Sequence, residues 1–443
     1  MGKASIIYVI GLGLLVGYAL LNINFRATET VSNSMDYYGR SMAHNVAVAG
    51  ANVGTHYVLS ATAPSNTFTG NFYGGTYSVT IDSVNPAGDK KVMAVSEVRA
   101  FTKDGRGLVR DTVIASLRYT PFAKYGYFSG SETNGYMSPT SNSTSGGNMW
   151  KVTGDSMFGY AHTNGRWNLG GRPYFHDKIT GFNPPNSMLY GGVYDPIYNA
   201  GSEWGITVNR PAANMTNLEG LAASSAPNAL FDGEDVSLEF LSSGNVKIKI
   251  PALTGTTRNE TVTLSSLTSN GVIAVKNADV RVKGTYKGKA TIVALKGTAG
   301  GGTKGNIWID DNLMAASNPN GNQSSPDMLG LVSERMTYVT TKDPSTGIWL
   351  PRTSASSVSI QAAVYCHDGV FAVQEYDNVP VSGRLNLFGA LTMAASTSTG
   401  KISGGLLVNG FLKSIRHDPR FLTSAPPSFP VSDKYELVSW WEN

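Results

Sequence analysis

The feature that most constrains this chain is an uncharged apolar segment near its N-terminus. Ala4–Phe25 contains no charged residue, and Ile6–Leu21 is almost purely apolar. As a helix, the uncharged segment would span roughly 30 Å, about the thickness of the hydrocarbon core of a bilayer. A cleaved signal peptide would have a shorter apolar region that ends at small residues, whereas Asn22–Arg26 follows here. A plain single-span membrane anchor would also explain the uncharged segment.

A helical pattern continues beyond the apolar segment. Arg26–Leu59 contains no proline, and apolar or small residues recur there at every third or fourth position. These positions are Val31, Met35, Tyr38, Met42, Val46, Ala49, Val53 and Tyr57. The charged residues that lie off this stripe are Arg26, Glu29, Asp36 and Arg40. The pattern predicts one helix of about 57 residues and about 85 Å, ended at Ala61–Pro64 because a residue before proline disfavours helical geometry. Two helices broken near Asn22–Asn24 are the alternative.

Three strand-like stretches follow the helical region, at Gly75–Ile81, Lys91–Val98 and Leu108–Tyr119. The residues that show apolar alternation are Tyr77, Val79 and Ile81 in the first stretch and Val113, Ala115 and Leu117 in the third. Asp104-Gly105 is a hairpin turn signal between the second and third stretches. We expect a small antiparallel sheet packed on the second half of the helix. A general β-meander is the alternative.

The rest of the chain is rich in glycine and in short apolar bursts. Residues 124–251 are rich in Gly, Asn, Ser and aromatic residues, and from Val272 the bursts recur at irregular intervals on the order of 10 to 30 residues. The bursts are Val272–Val275, Val280–Val282, Thr291–Leu295, Ile307–Ile309, Leu329–Val332, Val358–Val364, Val370–Val373 and Leu385–Phe388. Such irregular spacing is typical of a solenoid with loops of varying length, so we favour a parallel β-helix. A β-sandwich is the competing fold.

Composition excludes several classes of protein. The chain has 443 residues, of which 50 are Gly and only 15% are charged, and its formal net charge is +4. No cluster of Lys and Arg is dense enough to indicate a nucleic-acid-binding groove. The single cysteine, Cys366, excludes an intramolecular disulfide and any zinc site built from several cysteines. Because it ends the apolar run Ala362–Cys366, we expect a buried, inert thiol.

No residue pattern in the chain indicates catalysis. His162 and His176-Asp177 could form a metal or acid–base cluster with Asp155, but hydrogen bonding around a Gly-rich turn explains them better. The acidic pairs Glu234-Asp235 and Asp310-Asp311 are interpreted as a turn and a coil corner. No His-Glu-x-x-His, Gly-x-Ser-x-Gly or phosphate-loop motif occurs. We therefore predict no catalytic, cofactor-binding or metal-binding residue.

Two short stretches of the helical region resemble a known family. Gly2–Ile7 is similar to the Gly-x-Ala-Leu-Ile start of PilX-type pilin-like proteins, and Ala47–Ala51 is similar to their Ala-Glu-Ala-Gly stretch, with Val48 in place of the Glu. Type IV pilins carry a Glu at the fifth mature position. Ser5 or Ile7 holds that position here, for a mature start at Met1 or Lys3, so the resemblance implies a pilin stem without ordinary major-pilin assembly. No leader peptide of the usual kind is recognisable.

A second resemblance lies in the middle of the chain and at its end. Gly154–Gly165 followed by Arg172–Phe175 is similar to the Gly-Asp-x-x-x-Gly-x-x-His-Thr-Asn-Gly and Pro-x-Phe signature of a bacterial domain of unknown function, the DUF4900 type, found behind PilX-like helices. Arg416–Leu422 and the segment to Trp440 resemble the C-terminal end of the same family.

Together these observations predict an α+β, mostly β chain. The expected order is a pilin-like helix over 1–60, a small antiparallel sheet over 61–123, a Gly/Asn-rich DUF4900-like region over 124–251, a β-helix-like head over 252–430 and a C-terminal segment over 431–443.

The expected function is that of a structural subunit of a type IV pilus-like filament. The resemblance implies assembly with other copies or other pilins, a location in the inner membrane before assembly, and then an extracellular or cell-surface location. A membrane-anchored carbohydrate-active or carbohydrate-binding protein is the alternative, and a major, minor or tip subunit are all open. The residues expected on the assembly helix are Ile6, Ile7, Val9, Ile10, Leu12, Leu14, Leu15, Val16, Leu20 and Leu21.

Overall fold

The structure is a computed structural model, and it divides the chain into two compact units. It describes residues 2–60, 65–84, 89–102, 105–138, 146–210, 213–225, 229–252, 258–297, 302–343, 346–350, 356–403 and 406–442. The first unit comprises residues 1–120 and 433–443, and the second comprises residues 121–432. A long helix followed by a large strand-rich region confirms the predicted α+β, mostly β class.

One unbroken helix, α1, forms the N-terminal part of the first unit. It runs from Lys3 to Ser60 over 58 residues, so the predicted single helix is confirmed and the alternative break near Asn22–Asn24 is absent. At 1.5 Å per residue its length is about 87 Å. The predicted stop at Ala61–Pro64 lies outside the described residues.

A five-stranded sheet completes the first unit. Its strands, in sheet order, are β1 (Thr67–Phe72), β2 (Gly75–Ser83), β3 (Lys90–Thr102), β4 (Gly105–Pro121) and β29 (Val431–Glu442). β1 to β4 pair antiparallel. Val79, Ile81, Val113, Ala115 and Leu117 are buried and Tyr77 is half-buried, which confirms the predicted alternation.

Two parts of this sheet differ from the sequence prediction. β1 was not predicted, and it joins β2 through Tyr73 and Gly74, whose positive φ values of 48° and 78° suit a tight hairpin. Asp104 of the predicted second hairpin lies outside the described residues. The C-terminal segment forms β29 beside β4, where the rings of Tyr119 and Tyr435 stack with centroids 4.0 Å apart.

The face of α1 that packs on the sheet is shifted from the predicted stripe. The buried helix positions are Gly39, Ala43, Val46, Ala47, Gly50, Ala51, Gly54, Thr55 and Val58. Most are small because the helix backbone lies close to the strands: a Cβ atom on Gly54 would lie 2.6 Å from Val92 Cγ1. Of the predicted stripe, Val46 is buried, whereas Val31, Met35 and Tyr38 are exposed. The larger residues border the contact instead of forming its centre.

The second unit is built from short strands. They are β5 (Tyr127–Ser129), β6 (Trp150–Val152), β7 (Ser156–Phe158), β8 (Ala161–Gly170), β9 (Tyr174–Phe175), β10 (Ile179–Met188), β11 (Ile197–Tyr198), β12 (Ser202–Trp204), β13 (Leu230–Asp232), β14 (Val236–Phe240), β15 (Asn245–Ile250), β16 (Arg258–Thr263), β17 (Val272–Lys276), β18 (Val280–Tyr286), β19 (Lys289–Leu295), β20 (Ile307–Ala315), β21 (Met328–Ser333), β22 (Thr337–Val339), β23 (Val358–Cys366), β24 (Phe371–Val373), β25 (Arg384–Met393), β26 (Gly400–Ser403), β27 (Leu406–Gly410) and β28 (Leu412–His417). The helices are α2 (Met215–Ala223) and α3 (Leu264–Leu267), with 3-10 turns at Phe122–Lys124 and Pro419–Leu422.

Most of these strands pair in parallel with the strand one repeat further along the chain. One ladder runs through β13, β17, β19, β21, β23, β25, β5, β8, β10 and β12. A second runs through β14, β18, β20, β22 and β24, and a third through β23, β25, β28, β7, β9 and β11. The core lies between the ladders and is one cluster of buried apolar side chains.

The ladders join two separate stretches of chain. Residues 127–204 and residues 230–417 meet where β25 pairs with β5 and β28 pairs with β7. Hydrogen bonds therefore link the predicted 124–251 and 252–430 regions within one unit. At β14 the parallel pairing gives way to an antiparallel β14–β15–β16 meander, and β26 and β27 form a separate hairpin.

The segment between β12 and β13 follows the outside of the first ladder. Val208 is hydrogen-bonded to Asn164 of β8, Arg210 donates to the Cys366 carbonyl of β23 at 3.3 Å, and α2 packs beside β17. This segment covers apolar side chains on the outer face of the ladder. They include Ala274, Val293, Val332, Ala363, Tyr365 and Ala390.

Candidate assembly surface

The first half of α1 is apolar and exposed. The ten predicted assembly residues, from Ile6 to Leu21, are all exposed, with side chains between 49% and 71% accessible. Within the described residues this is the one helix long and apolar enough to cross a membrane. A soluble monomer rarely leaves a contiguous apolar surface of this size in water. This half of α1 therefore requires a covering that the described chain does not supply.

The apolar surface surrounds the helix on all sides. An interfacial helix would keep a polar face, but Ala4–Phe25 has no charged residue on any face. Gly13 and Gly17 are four residues apart on one side, and a Cβ on either would meet nothing within 4 Å. Such a pair permits close approach of a second helix. The Gly-x-x-x-Gly spacing can be seen in the sequence alone, so Gly13 and Gly17 belong to the same surface as the ten predicted assembly residues.

A groove extends the apolar surface into the second half of α1. It encloses about 440 Å³ between the helix and the end of β3. Its lining residues are Thr30, Val31, Ser34, Met35, Tyr38, Met42, Arg99, Ala100 and Phe101. The predicted stripe residues Val31, Met35 and Tyr38 therefore contribute to an open groove and not to a closed core. Its walls suit an apolar side chain or helix better than a polar ligand.

The residues considered for metal or acid–base chemistry have separate structural partners. Asp155 Oδ2 accepts a hydrogen bond from Val152 N at 3.1 Å, and His176 pairs with its neighbour Asp177 at 3.1 Å. Asp177 also accepts from Gly159 N at 2.6 Å. Among the described residues no three His, Cys, Asp or Glu side chains lie together as a metal site would require.

His162 lies within β8 and not in a turn, and it helps to hold the outer segment. Asn164 Oδ1 accepts from Val208 N at 2.9 Å while its Nδ2 donates to Val208 O at 2.7 Å, which fixes the orientation of the amide. His162 Nε2 lies 2.9 Å from the same Oδ1, so Nε2 carries the proton and Nδ1 accepts from the Thr180 hydroxyl at 2.7 Å. Burial lowers the pKa of His162, although the bond to Asn164 opposes this. The imidazole is therefore neutral, and each of its ring nitrogens is hydrogen-bonded. This arrangement indicates a structural role for His162.

The acidic pairs and the cysteine are also accounted for by packing. Asp310 lies within β20 and not at a corner, and it accepts hydrogen bonds from both Arg281 Nε at 2.8 Å and Arg281 Nη2 at 2.5 Å. Asp235 lies at the bend between β13 and β14 and pairs with Lys304 at 2.8 Å. Cys366 is fully buried, as predicted, and burial raises its pKa.

Comparison of the chain with known protein families, with curated proteins and with solved structures finds no match.

Proposed function

We propose that this chain is a structural subunit of a type IV pilus-like extracellular filament and belongs with the PilX-type pilin-like proteins. The observation that carries the proposal is the division of α1. Its first half is apolar on every side and exposed, while its second half packs against its own sheet. A helix of this kind can insert in a membrane and later bundle with copies of itself without a change in its own fold.

The energetics favour such an exchange of partners. Covering an exposed Leu, Ile or Val side chain is worth roughly 1.5–3 kcal/mol, and lipid and neighbouring helices can both provide the cover. The proposed partners are therefore the inner membrane before assembly, and other copies or other pilins afterwards. The Gly13–Gly17 face would allow the closest helix contact.

The second unit would face outward as the displayed head, and we propose that it is a parallel β-helix with a DUF4900-like region. Its parallel ladders support this fold, because a β-sandwich is built from antiparallel strands. We propose that the assembled filament displays this unit for adhesion, and that the unit has no catalytic role.

Negative-stain imaging of Gly13→Glu beside the wild-type chain tests the proposal. A carboxylate on the apolar half of α1 must be desolvated in a helix bundle, which is strongly unfavourable. We expect long fibres of uniform width from the wild type and none from Gly13→Glu. Gly220→Glu is the matched control, because Gly220 is an open, exposed helix glycine in α2 of the second unit.

Circular dichroism separates failed assembly from failed folding. Both variants should retain wild-type strand content and melting temperature in detergent. Fibres of normal width from Gly13→Glu would exclude α1 from the filament core. Dispersed wild-type particles that degrade a polysaccharide would instead favour a membrane-anchored carbohydrate-active protein.

A further inference from the structure

A groove on the second unit combines aromatic rings with buried charge. It encloses about 290 Å³ between β6, the β26–β27 hairpin and the start of β28. The rings of Trp150, Tyr190 and Tyr376 line it, and each ring is half-buried. Rigid rings with one open face are suited to stacking on a flat or puckered ring of a ligand. Their partial exposure leaves room for such a partner.

Two buried charged residues also line the groove. Asp155 is 6% exposed and Lys413 is 8% exposed. The Asp155 carboxylate is held by Val152 N at 3.1 Å and by Lys413 N at 3.3 Å. Two backbone donors thus fix the carboxylate, and each oxygen retains a lone pair for a ligand hydroxyl.

The Lys413 ammonium group is poorly satisfied. It has three N–H donors, and within the described residues its one hydrogen bond runs to the Thr397 carbonyl at 3.4 Å. Burial and, to a smaller extent, the nearby Lys151 lower the pKa of Lys413, whereas Asp155 and Glu132 oppose the shift, and the resulting pKa is about 8. An anion in the groove would supply the missing acceptor and stabilise the charge.

A neighbouring lysine, by contrast, has several hydrogen-bond acceptors for its ammonium group. Lys151 is also buried, but its Nζ donates to Glu132 Oε2 at 2.7 Å and to Ser396 Oγ at 2.8 Å. It also lies over the rings of Tyr127 and Trp167. Lys413 has no comparable set of partners in the described part of the chain, so its ammonium group retains donors that a ligand could use.

We propose that this groove binds a carboxylate-bearing glycan, with a uronic acid carboxylate paired to Lys413. The apolar C–H face of a pyranose ring stacks on aromatic rings such as Trp150. Sugar hydroxyls can donate to Asp155 and bond to Asn148 and Thr399, which also line the groove. The combination of ring faces, hydroxyl partners and one cation fits an acidic sugar. This proposal does not depend on filament assembly.

Isothermal titration calorimetry on the full chain in detergent micelles tests the proposal. The probe is an α-1,4-linked galacturonic acid trisaccharide, and the matched neutral probe is the galactose trisaccharide of the same linkage. We expect the acidic probe to bind about tenfold tighter or more, equivalent to about 1.4 kcal/mol. Lys413→Met should remove this difference, and Trp150→Ala should weaken both probes.

Trp349→Ala is the control for loss of an aromatic ring. Trp349 packs on Lys342, with 4.4 Å from Nζ to the ring centroid, and does not line the groove. It should bind both probes as the wild type does. Equal affinity for the two probes, or unchanged affinity in Lys413→Met, would overturn the proposal, as would no binding of either probe.

A pH titration of the wild type gives a test that needs no variant. The charged groups facing Lys413 are Glu132, Lys151 and Asp155, and Lys401 also lines the groove. As Lys413 loses its proton between pH 7 and 9.5, affinity for the acidic probe should fall while that for the neutral probe holds. A parallel fall for both would contradict the assignment, and tighter binding of a hexaglutamate peptide would point to an acidic protein partner instead.

Discussion

The first half of α1 and the strands of the second unit are both rich in apolar residues, but they meet opposite surroundings. Ile10 of α1 is 58% exposed, whereas Ile309 of β20 is fully buried. The strands bury their side chains against neighbouring repeats of the same chain, so their stability is intramolecular. Within the described residues the first half of α1 has no such neighbour, so its apolar surface is available for lipid or another subunit. Composition alone does not separate these two roles; the available neighbours do.

Charge also distinguishes the two regions. Of the variants considered, Lys151→Met should cause the largest loss of stability. The apolar half of α1 carries no charge, while the second unit buries Lys151 against Glu132. Burial alone would lower the pKa of Lys151, but the Glu132 carboxylate raises it above the usual value. Removing the ammonium leaves Glu132 buried without its counter-ion, which costs about 3–5 kcal/mol. Denaturant unfolding in detergent measures the loss.

Glu132→Gln combined with Lys151→Met is the control for that prediction, because it removes both charges. The double variant should recover much of the lost stability. A single variant as stable as the wild type would mean that the pair contributes nothing.

Truncation of matched isoleucines tests the comparison directly. Ile309→Ala should lower the free energy of unfolding by about 2–5 kcal/mol because it leaves a cavity between ladders. Ile10→Ala should leave the detergent-dispersed protein unchanged but reduce the yield of fibres. Chemical denaturation and sedimentation of fibres measure the two effects. Equal destabilisation by both variants would show that the first half of α1 also packs within its own chain.

Glycines separate the two halves of α1 in the same way. A Cβ on Gly54 would lie 2.6 Å from Val92 and 2.8 Å from Val79, so Gly54→Ala should cost about 1–3 kcal/mol by overpacking. Gly17→Ala meets open space and should not destabilise the dispersed protein. Thermal melting in detergent distinguishes them. If Gly54→Ala melted at or above the wild-type temperature, the close helix–sheet contact would be wrong.

The smallest expected effect is the pH dependence contributed by Lys413. Its pKa is about 8 in the folded protein and about 10.5 when unfolded, so the unfolded state binds more protons between these values. Stability should therefore rise with pH in this window, by on the order of 1 kcal/mol from pH 8 to 9.5. The difference between wild type and Lys413→Met isolates this contribution. If the stability of the wild type relative to Lys413→Met fell as the pH rose, the pKa of Lys413 would be raised by folding and not lowered.

Much of the first unit could be predicted because its patterns are periodic. The unbroken helix and the alternation in β2 and β4 follow from local spacing. The predicted stripe follows large residues such as Met35, whereas the close contact with the sheet buries the small residues Ala43, Ala47 and Gly54. β29 pairs with β4 across more than 300 residues of chain, and no local pattern reports such a pairing.

The second unit was predictable at the level of its strands, but not in the order of their stacking. Apolar bursts such as Val358–Val364 mark buried strands, yet they do not show that β25 would pair with β5. The His162–Gly165 motif was recognisable, but its contact with Val208 depends on a distant segment. The groove around Lys413 likewise unites residues far apart in sequence, so only the folded chain reveals it.

Thiol labelling of Leu14→Cys in sheared filaments tests the central claim most directly. Leu14 is 71% exposed in the isolated chain, and the native Cys366 is buried, so the new thiol reports on one site. In filaments washed free of lipid, we predict that a charged maleimide labels this thiol slowly, and rapidly once detergent disperses the subunits. Equally rapid labelling before and after dispersal would contradict burial of α1 between subunits.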